Sequence, residues 1–223
     1  MNYKMSFQER AKLGMEIISK QQPSTLEEKR AQADRVKKQS RTKLYLDIDG
    51  VILTKKNTRQ ADNLEQFVDF IIDNFNCYWL TTHCKGDANS TIKYLTRFIS
   101  KPILDKLKIV KPTNWETLKT EGINFYSNFL WLDDSPFQAE INDLKNNELF
   151  ENLILVDLNN NSELIRLIHI MEQQEKSKEG AYLKSLIKIW HPDWTQEQIE
   201  SEYQIKIVQS ENNDDNGCDV CSG

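Results

Sequence analysis

Residues 43–52, KLYLDIDGVI, decide how the rest of the chain is read. Leu44 to Leu46 make a short β-like run that breaks into Asp47, Ile48, Asp49 and Gly50. In an extended chain, residues two apart project to the same side, so Asp47 and Asp49 are expected together just beyond a strand end, with Gly50 turning the chain away. Ligands of open parallel sheets bind outside the carboxyl ends of the strands, which makes this a reactive location for two acids. Neighbouring carboxylates do not both ionise cheaply. One is expected to keep a raised pKa and serve as an acid, the other to act as nucleophile or metal ligand. Asp and Gly are also ordinary turn residues, and on this stretch alone a solvated turn and a reactive pair stand level.

Outward from this strand, apolar runs alternate with amphipathic stretches. Leu64, Phe67, Val68, Ile71, Ile72 and Phe75 recur at helical spacing, and the run Cys77 to Leu80 follows at once. Next come a helix around Ile92, Leu95, Phe98 and Ile99, a short Ile109–Val110 run, a helix from about Asn114 to Glu121, and a strand Phe129 to Leu132. A helix near Phe137 to Leu144, a strand Leu153 to Val156 and a helix Ser162 to Met171 complete the series. This alternation predicts an α/β fold, a Rossmann-like parallel sheet flanked by helices over residues 43–172, with helical N- and C-terminal additions.

Residues 1–42 read as a basic segment of two polar helices, each opened by a capping box (Ser6 with Glu9, Thr25 with Glu28) and separated at Pro23. After Met171 the run EQQEKSKEG reads as a linker, followed by two helices, the second opened by Thr195 and Gln198, and an acidic tail expected to be disordered. Of the cysteines, Cys218 and Cys221 form one C-x-x-C without a second pair nearby, which favours an inert tail over a zinc knuckle. His83, His169 and His191 read as loop or structural histidines.

The chain of 223 residues, 39% hydrophobic, suits one core domain of about 130 residues with appendages. Its mean hydropathy of -0.64 and the absence of any apolar run of membrane-spanning length predict a soluble protein, and an N-terminus without a secretory apolar region predicts the cytoplasm. The net charge of -5 excludes a uniformly basic nucleic-acid coat. That average hides a polarity. Residues 1–43 hold 11 basic and 5 acidic residues, a balance of +6, which leaves -11 for the remainder. A basic arm beside an acidic core could steer an acidic partner, or present a solvated face.

Three later features bear on the acid pair. CYWLTTH ends a strand in Thr81 and Thr82, hydroxyls able to donate to a phosphate, and FLWLDDSP ends another in Asp133 and Asp134, carboxylates suited to a hard cation. Between them stands Lys119, a point charge for a phosphoryl oxygen, with Lys111 as its competitor. The order of acid pair, hydroxyl, lysine and acid pair over roughly residues 43–157 resembles the four motifs of the haloacid dehalogenase (HAD) superfamily. The resemblance implies a Mg²⁺-dependent phosphomonoesterase in which Asp47 forms an aspartyl-phosphate and Asp49 protonates the leaving oxygen and later activates water. It implies that Thr81, Thr82 and Lys119 hold the phosphoryl oxygens and that Asp47, Asp49 (through its carbonyl), Asp133 and Asp134 serve the metal. DDSP is similar to the variant of phosphatases acting on the RNA polymerase II tail, which points to Asp134 as the direct ligand.

Members acting on small metabolites usually carry a cap domain inserted after the first motif or between the second and third. The windows Val51–Asn76 and His83–Leu118 leave little room for one, so an open site is expected, suited to a phosphate presented on a phosphoprotein or a nucleic-acid end. Alternatives are a nucleic-acid 3′-end phosphatase in repair, action on a small phosphate ester, and a HAD-like binding module without catalysis. The glycines, at 14, 50, 86, 122, 180, 217 and 223, exclude a fused P-loop kinase, and no G-x-S-x-G elbow or H-E-x-x-H zinc motif occurs.

Overall fold

A computed structural model of the chain describes residues 41–204, so the expected N-terminal helices, the acidic tail and Cys218 and Cys221 lie outside the described residues. The described residues fall into two compact units, one ending at Asn159 and one starting at Asn160.

The first unit is built on five parallel strands, β1 (Lys43–Leu46), β2 (Asn76–Trp79), β3 (Lys111–Pro112), β4 (Phe129–Asp133) and β5 (Leu153–Leu155), in the order β3-β2-β1-β4-β5. Helices α1 (Leu64–Asn74), α2 (Ala88–Leu95), α3 (Lys101–Leu107) and α4 (Gln138–Asn146) form the crossovers. The five residues of β4 are all buried, as a central strand covered on both faces must be. Pleating separates the two faces of β1: Tyr45 packs into a cluster with Phe129, Trp131, Leu80 and Trp115, while Leu44 and Leu46 point the other way. Leu64, Phe67, Val68 and Ile71 supply the buried stripe of α1.

The chain builds outward from β1 to β2 and β3, then returns to its other side for β4 and β5. That reversal is a topological switch point, and such sheets open a crevice there, at the carboxyl ends of the strands. Leu46 is paired with Leu132, and Asp47 N–H donates to the Leu132 carbonyl (3.1 Å), so the next residue of each strand, Asp47 and Asp133, stands beside the other. Strand order and register put the two acids together.

Several local readings are corrected. The helix expected over Asn114–Glu121 is an extended loop closed by a single 3-10 turn, Lys119–Gly122. The Glu121 carboxylate takes the N–H groups of Glu116 (2.8 Å), Thr117 (3.2 Å) and Leu118 (3.3 Å), which hold it below the usual carboxylate range and satisfy amides a helix would otherwise have used. The Ile109–Val110 strand shifts to Lys111–Pro112, because Val110 N–H still bonds to Leu107 O (3.1 Å) in the turn that leaves α3. That helix was hidden in sequence behind Lys101–Pro102, where proline sits in the first turn, its tolerated place.

In the second unit, α5 (Glu163–Trp190) runs unbroken through the stretch read as a linker. Glu, Gln and Lys are good helix formers, no proline interrupts them, and Lys178 pairs with Glu175 (3.1 Å), so polarity did not mean flexibility. At Gly180 a Cβ would stand 2.4 Å from the Tyr203 hydroxyl, which gives this mid-helix glycine a packing reason. The capping box of the following helix is present: Thr195 N–H donates to Gln198 Oε1 (2.8 Å) and Gln198 N–H to Thr195 Oγ1 (3.3 Å). Among the described residues, no helix is long and apolar enough to cross a membrane.

Candidate functional site

Directly after β1, the Ile48 carbonyl collects the N–H groups of Val51, Ile52 and Leu53 (3.2, 2.9 and 2.9 Å). This coil ends the extended geometry at Asp47. Asp47 and Asp49 take different hydrogen-bond partners. Asp47 Oδ1 accepts the Ile48 N–H (2.7 Å) and Oδ2 accepts Lys119 Nζ (2.7 Å), whereas Asp49 Oδ2 meets His83 Nε2 (2.9 Å) and Oδ1 accepts the Tyr94 hydroxyl (3.3 Å).

Asp133 is the second arm of the lysine clamp. Its Oδ2 accepts Lys119 Nζ at 2.6 Å and its Oδ1 accepts the Ser135 N–H at 2.9 Å. Burial pushes the Asp133 carboxyl above its ordinary range and the Asp47 charge adds to this, with the Lys119 ammonium acting against both. Burial works to lower Lys119, but the Asp47 and Asp133 charges outweigh it and hold the ammonium above the usual lysine range. Asp133, whose carboxyl is raised, is linked to Asp47 across the two strands through Lys119.

Asp134 bonds to Lys55 Nζ (2.6 Å), and one carboxylate oxygen from each of Asp47, Asp133 and Asp134 lies within 4.8 Å of the others. Three oxygen donors at this spacing suit a hard metal cation. The triad can therefore hold a metal ion, while the Asp49 carboxylate is not one of its members.

Gly50 has φ +88, and a Cβ placed on it would stand 2.2 Å from Asp134 Cγ and 2.3 Å from Oδ2. Only glycine lets this turn pass the acid. Gly50→Ala is expected to cost about 1–3 kcal/mol from backbone strain, and more from displacing Asp134. A lowered melting temperature together with weakened divalent-cation binding in calorimetry is the expected pair of results.

Thr81 is fully buried just beyond the end of β2, its Oγ1 accepting the His83 N–H (3.4 Å), while Thr82 is exposed. Lys111 is exposed, with its ammonium 5.3 Å from the Tyr78 ring centre, so Lys119 is the lysine gathered with the acids. Its rigidity does not come from an α-helix. Lys119 N–H donates to Glu140 Oε1 (2.7 Å), whose Oε2 takes the Phe137 N–H (2.7 Å), and this buried carboxylate ties the lysine turn to the start of α4. Sequence reasoning missed Glu140, although an acid three residues into a helix start is a readable capping signal. It also missed the partners of Asp49: the His83 and Tyr94 rings stack at 3.7 Å, a contact with no local signature in the chain.

No model of a known protein family matches the chain, and no curated protein is significantly similar to it.

Proposed function

We propose that the first unit is a divalent-cation-dependent phosphomonoesterase of the haloacid dehalogenase type, acting on a phosphate presented by a macromolecule. The observation that carries this reading is the clamp of Lys119 Nζ between Asp47 (2.7 Å) and Asp133 (2.6 Å), with Asp134 alongside, at the switch point of a parallel sheet. Phosphoryl transfer needs positioning and charge neutralisation more than unusual covalent chemistry, and this arrangement offers both.

In this reading an Asp47 carboxylate oxygen bonds to phosphorus as the bond to the leaving oxygen breaks, and Asp49 delivers a proton to that oxygen. Asp49 then takes a proton from the water that attacks the phosphorus, and the acyl-phosphate bond opens to release phosphate and restore Asp47. Lys119 faces the phosphoryl oxygens and the Thr81 and Thr82 segment bounds them. Asp47, Asp133 and Asp134, with the Asp49 carbonyl, would hold a Mg²⁺ ion, which when bound would supply positive charge for the transferring group. The two chain windows where a cap would sit hold a loop with α1, and α2 with α3 and β3, so they contain no additional domain. That supports a macromolecular substrate.

Hydrolysis of an aryl phosphate by the full chain, present with Mg²⁺ and lost in EDTA, is the expected result; no turnover on aryl phosphate, phosphopeptides or phosphorylated oligonucleotides by folded protein removes the reading. Within it, His83 and Tyr94 are positioning residues for Asp49. His83→Ala is expected to lower kcat about 10- to 100-fold with KM little changed, the usual size of a misaligned proton donor, and Tyr94→Phe to do less. Equal effects on kcat and KM would argue that the pair supports only the loop.

A further inference from the structure

A cleft of about 280 Å³ opens beside the acidic cluster, near the small end of ligand clefts, which span roughly 300–1,000 Å³. Gly50 and Asp134 line it together with Lys55, Lys56, Asn57 and Arg59. Asp134 belongs both to the cleft and to the carboxylate triad, so a single side chain joins the two.

Residues 50–61 carry Lys55, Lys56 and Arg59 and no acid, a local excess of positive charge that favours an anion. Their presentation is fixed by the backbone. Leu53 bridges Gln60, Thr54 N–H donates to the Arg59 carbonyl (2.9 Å) and Arg59 N–H to Thr54 Oγ1 (3.3 Å), so residues 55–58 form the tip of a tied loop. Thr58 sits there at φ 40, a left-handed conformation that a β-branched residue keeps only when its surroundings enforce it. Lys55 is engaged by Asp134 and Arg59 only loosely by exposed Asp62 (3.6 Å), while Lys56 has no ion pair among the described residues. The other acid of the cleft, Asp157, already accepts the backbone N–H (3.0 Å) and side-chain amide (2.7 Å) of Asn159.

We infer that this cleft is a second anion subsite and that the substrate is the phosphorylated end of a nucleic-acid strand, its next phosphodiester held by Lys56 and Arg59 while the terminal phosphate meets Asp47 and Lys119. The inference rests on the phosphomonoesterase reading above. A strand end carries its second anion beside the terminal phosphate whatever the base sequence, which matches cations on a tied loop; a phosphopeptide carries one there only in some sequences. Contacts of this type position a strand without reading its bases.

The test is calorimetric binding to the full-length Asp47→Asn protein with Mg²⁺, comparing a nucleoside 3′-monophosphate, a dinucleotide bearing a 3′-phosphate, and a phosphoserine peptide with a flanking acid. Charge-assisted contacts to the extra phosphodiester are expected to make the dinucleotide bind about tenfold tighter or more than the mononucleotide. Lys56→Ala/Arg59→Ala in the same background is expected to bring that ratio to within about twofold, with Lys56→Gln/Arg59→Gln as a second, bulkier variant at these exposed positions. A ratio near one in the parent, a ratio that survives both variants, or a peptide binding as tightly as the dinucleotide overturns the inference. Turnover by the wild-type chain on aryl phosphate, phosphopeptides and phosphorylated oligonucleotides separates the two ideas: turnover without a dinucleotide preference sinks the subsite alone, and a preference with no turnover on any of them sinks the phosphatase reading and leaves the cleft an anion-binding site.

Discussion

On the proposed phosphomonoesterase reading, Asp47→Asn is expected to abolish metal-dependent turnover while leaving the fold in place. Removing the nucleophile from a covalent hydrolase costs on the order of 10⁶ in kcat, so a fall of at least about 10⁴-fold is the outcome to look for. The fold should survive because Asn is nearly isosteric and its side-chain oxygen can still accept the Ile48 N–H that Asp47 Oδ1 takes at 2.7 Å. Two further changes oppose each other: Lys119 loses one of its two carboxylate partners, and Asp133 is relieved of the neighbouring charge that helps raise its carboxyl. Stopped turnover with unchanged near-ultraviolet circular dichroism is the expected combination. Residual turnover near the wild-type rate would remove Asp47 as the nucleophile.

Lys119→Met is expected to have the largest effect on stability. The ammonium is mostly buried, bridging two carboxylates whose side chains are 13% and 1% exposed, and its loss leaves them facing each other in a poorly solvated place. Breaking a buried ion pair from one side typically costs about 3–5 kcal/mol. In a domain of this size each kcal/mol moves the melting temperature by about 2–4 °C. The pH dependence gives a sharper check. Asp133 already has a carboxyl raised above its unfolded value, so its contribution favours the fold on the acid side and is lost as pH rises through the folded pKa. Without the lysine that carboxyl rises further, and the melting gap between variant and wild type should be wide at neutral pH and narrow on acidification. Lys119 in the wild type acts in the same sense at the other end of the scale: its raised pKa stabilises the fold while it is protonated, and that contribution disappears as alkaline pH passes the folded value. Mg²⁺ should recover part of the variant's lost stability, because a cation bound to the triad replaces the missing charge. A melting gap that is independent of pH and Mg²⁺ would mean that the lysine contributes packing rather than charge.

Much of the fold was legible because its signals are local. The helical stripe from Leu64 to Ile71, the buried run of β4 and the capping box at Thr195 are all produced by neighbours within a few turns of chain, and the structure contains each of them. The misread places are those where a contact from elsewhere changes the local preference. Glu121 captures three amides and prevents a helix, and a polar run without proline stays helical where its composition suggested a linker.

By itself, the sequence determined that strands alternate with helices and that Asp47, Thr81 and Asp133 come at or just after the ends of apolar strands. Only the tertiary structure decided which of these residues meet. Asp47 shares Lys119 with Asp133 because β1 and β4 are adjacent and in register, whereas Asp49, beyond the coil around the Ile48 carbonyl, bonds to His83 and Tyr94. Lys119 prevails over Lys111 because buried Glu140 anchors its turn beside the acids, a contact across 21 residues. Periodicity and turn chemistry act over a few residues and can be read along the chain; strand order, register and the reach of a side chain depend on partners far away in sequence, and they become definite only when the sheet has assembled.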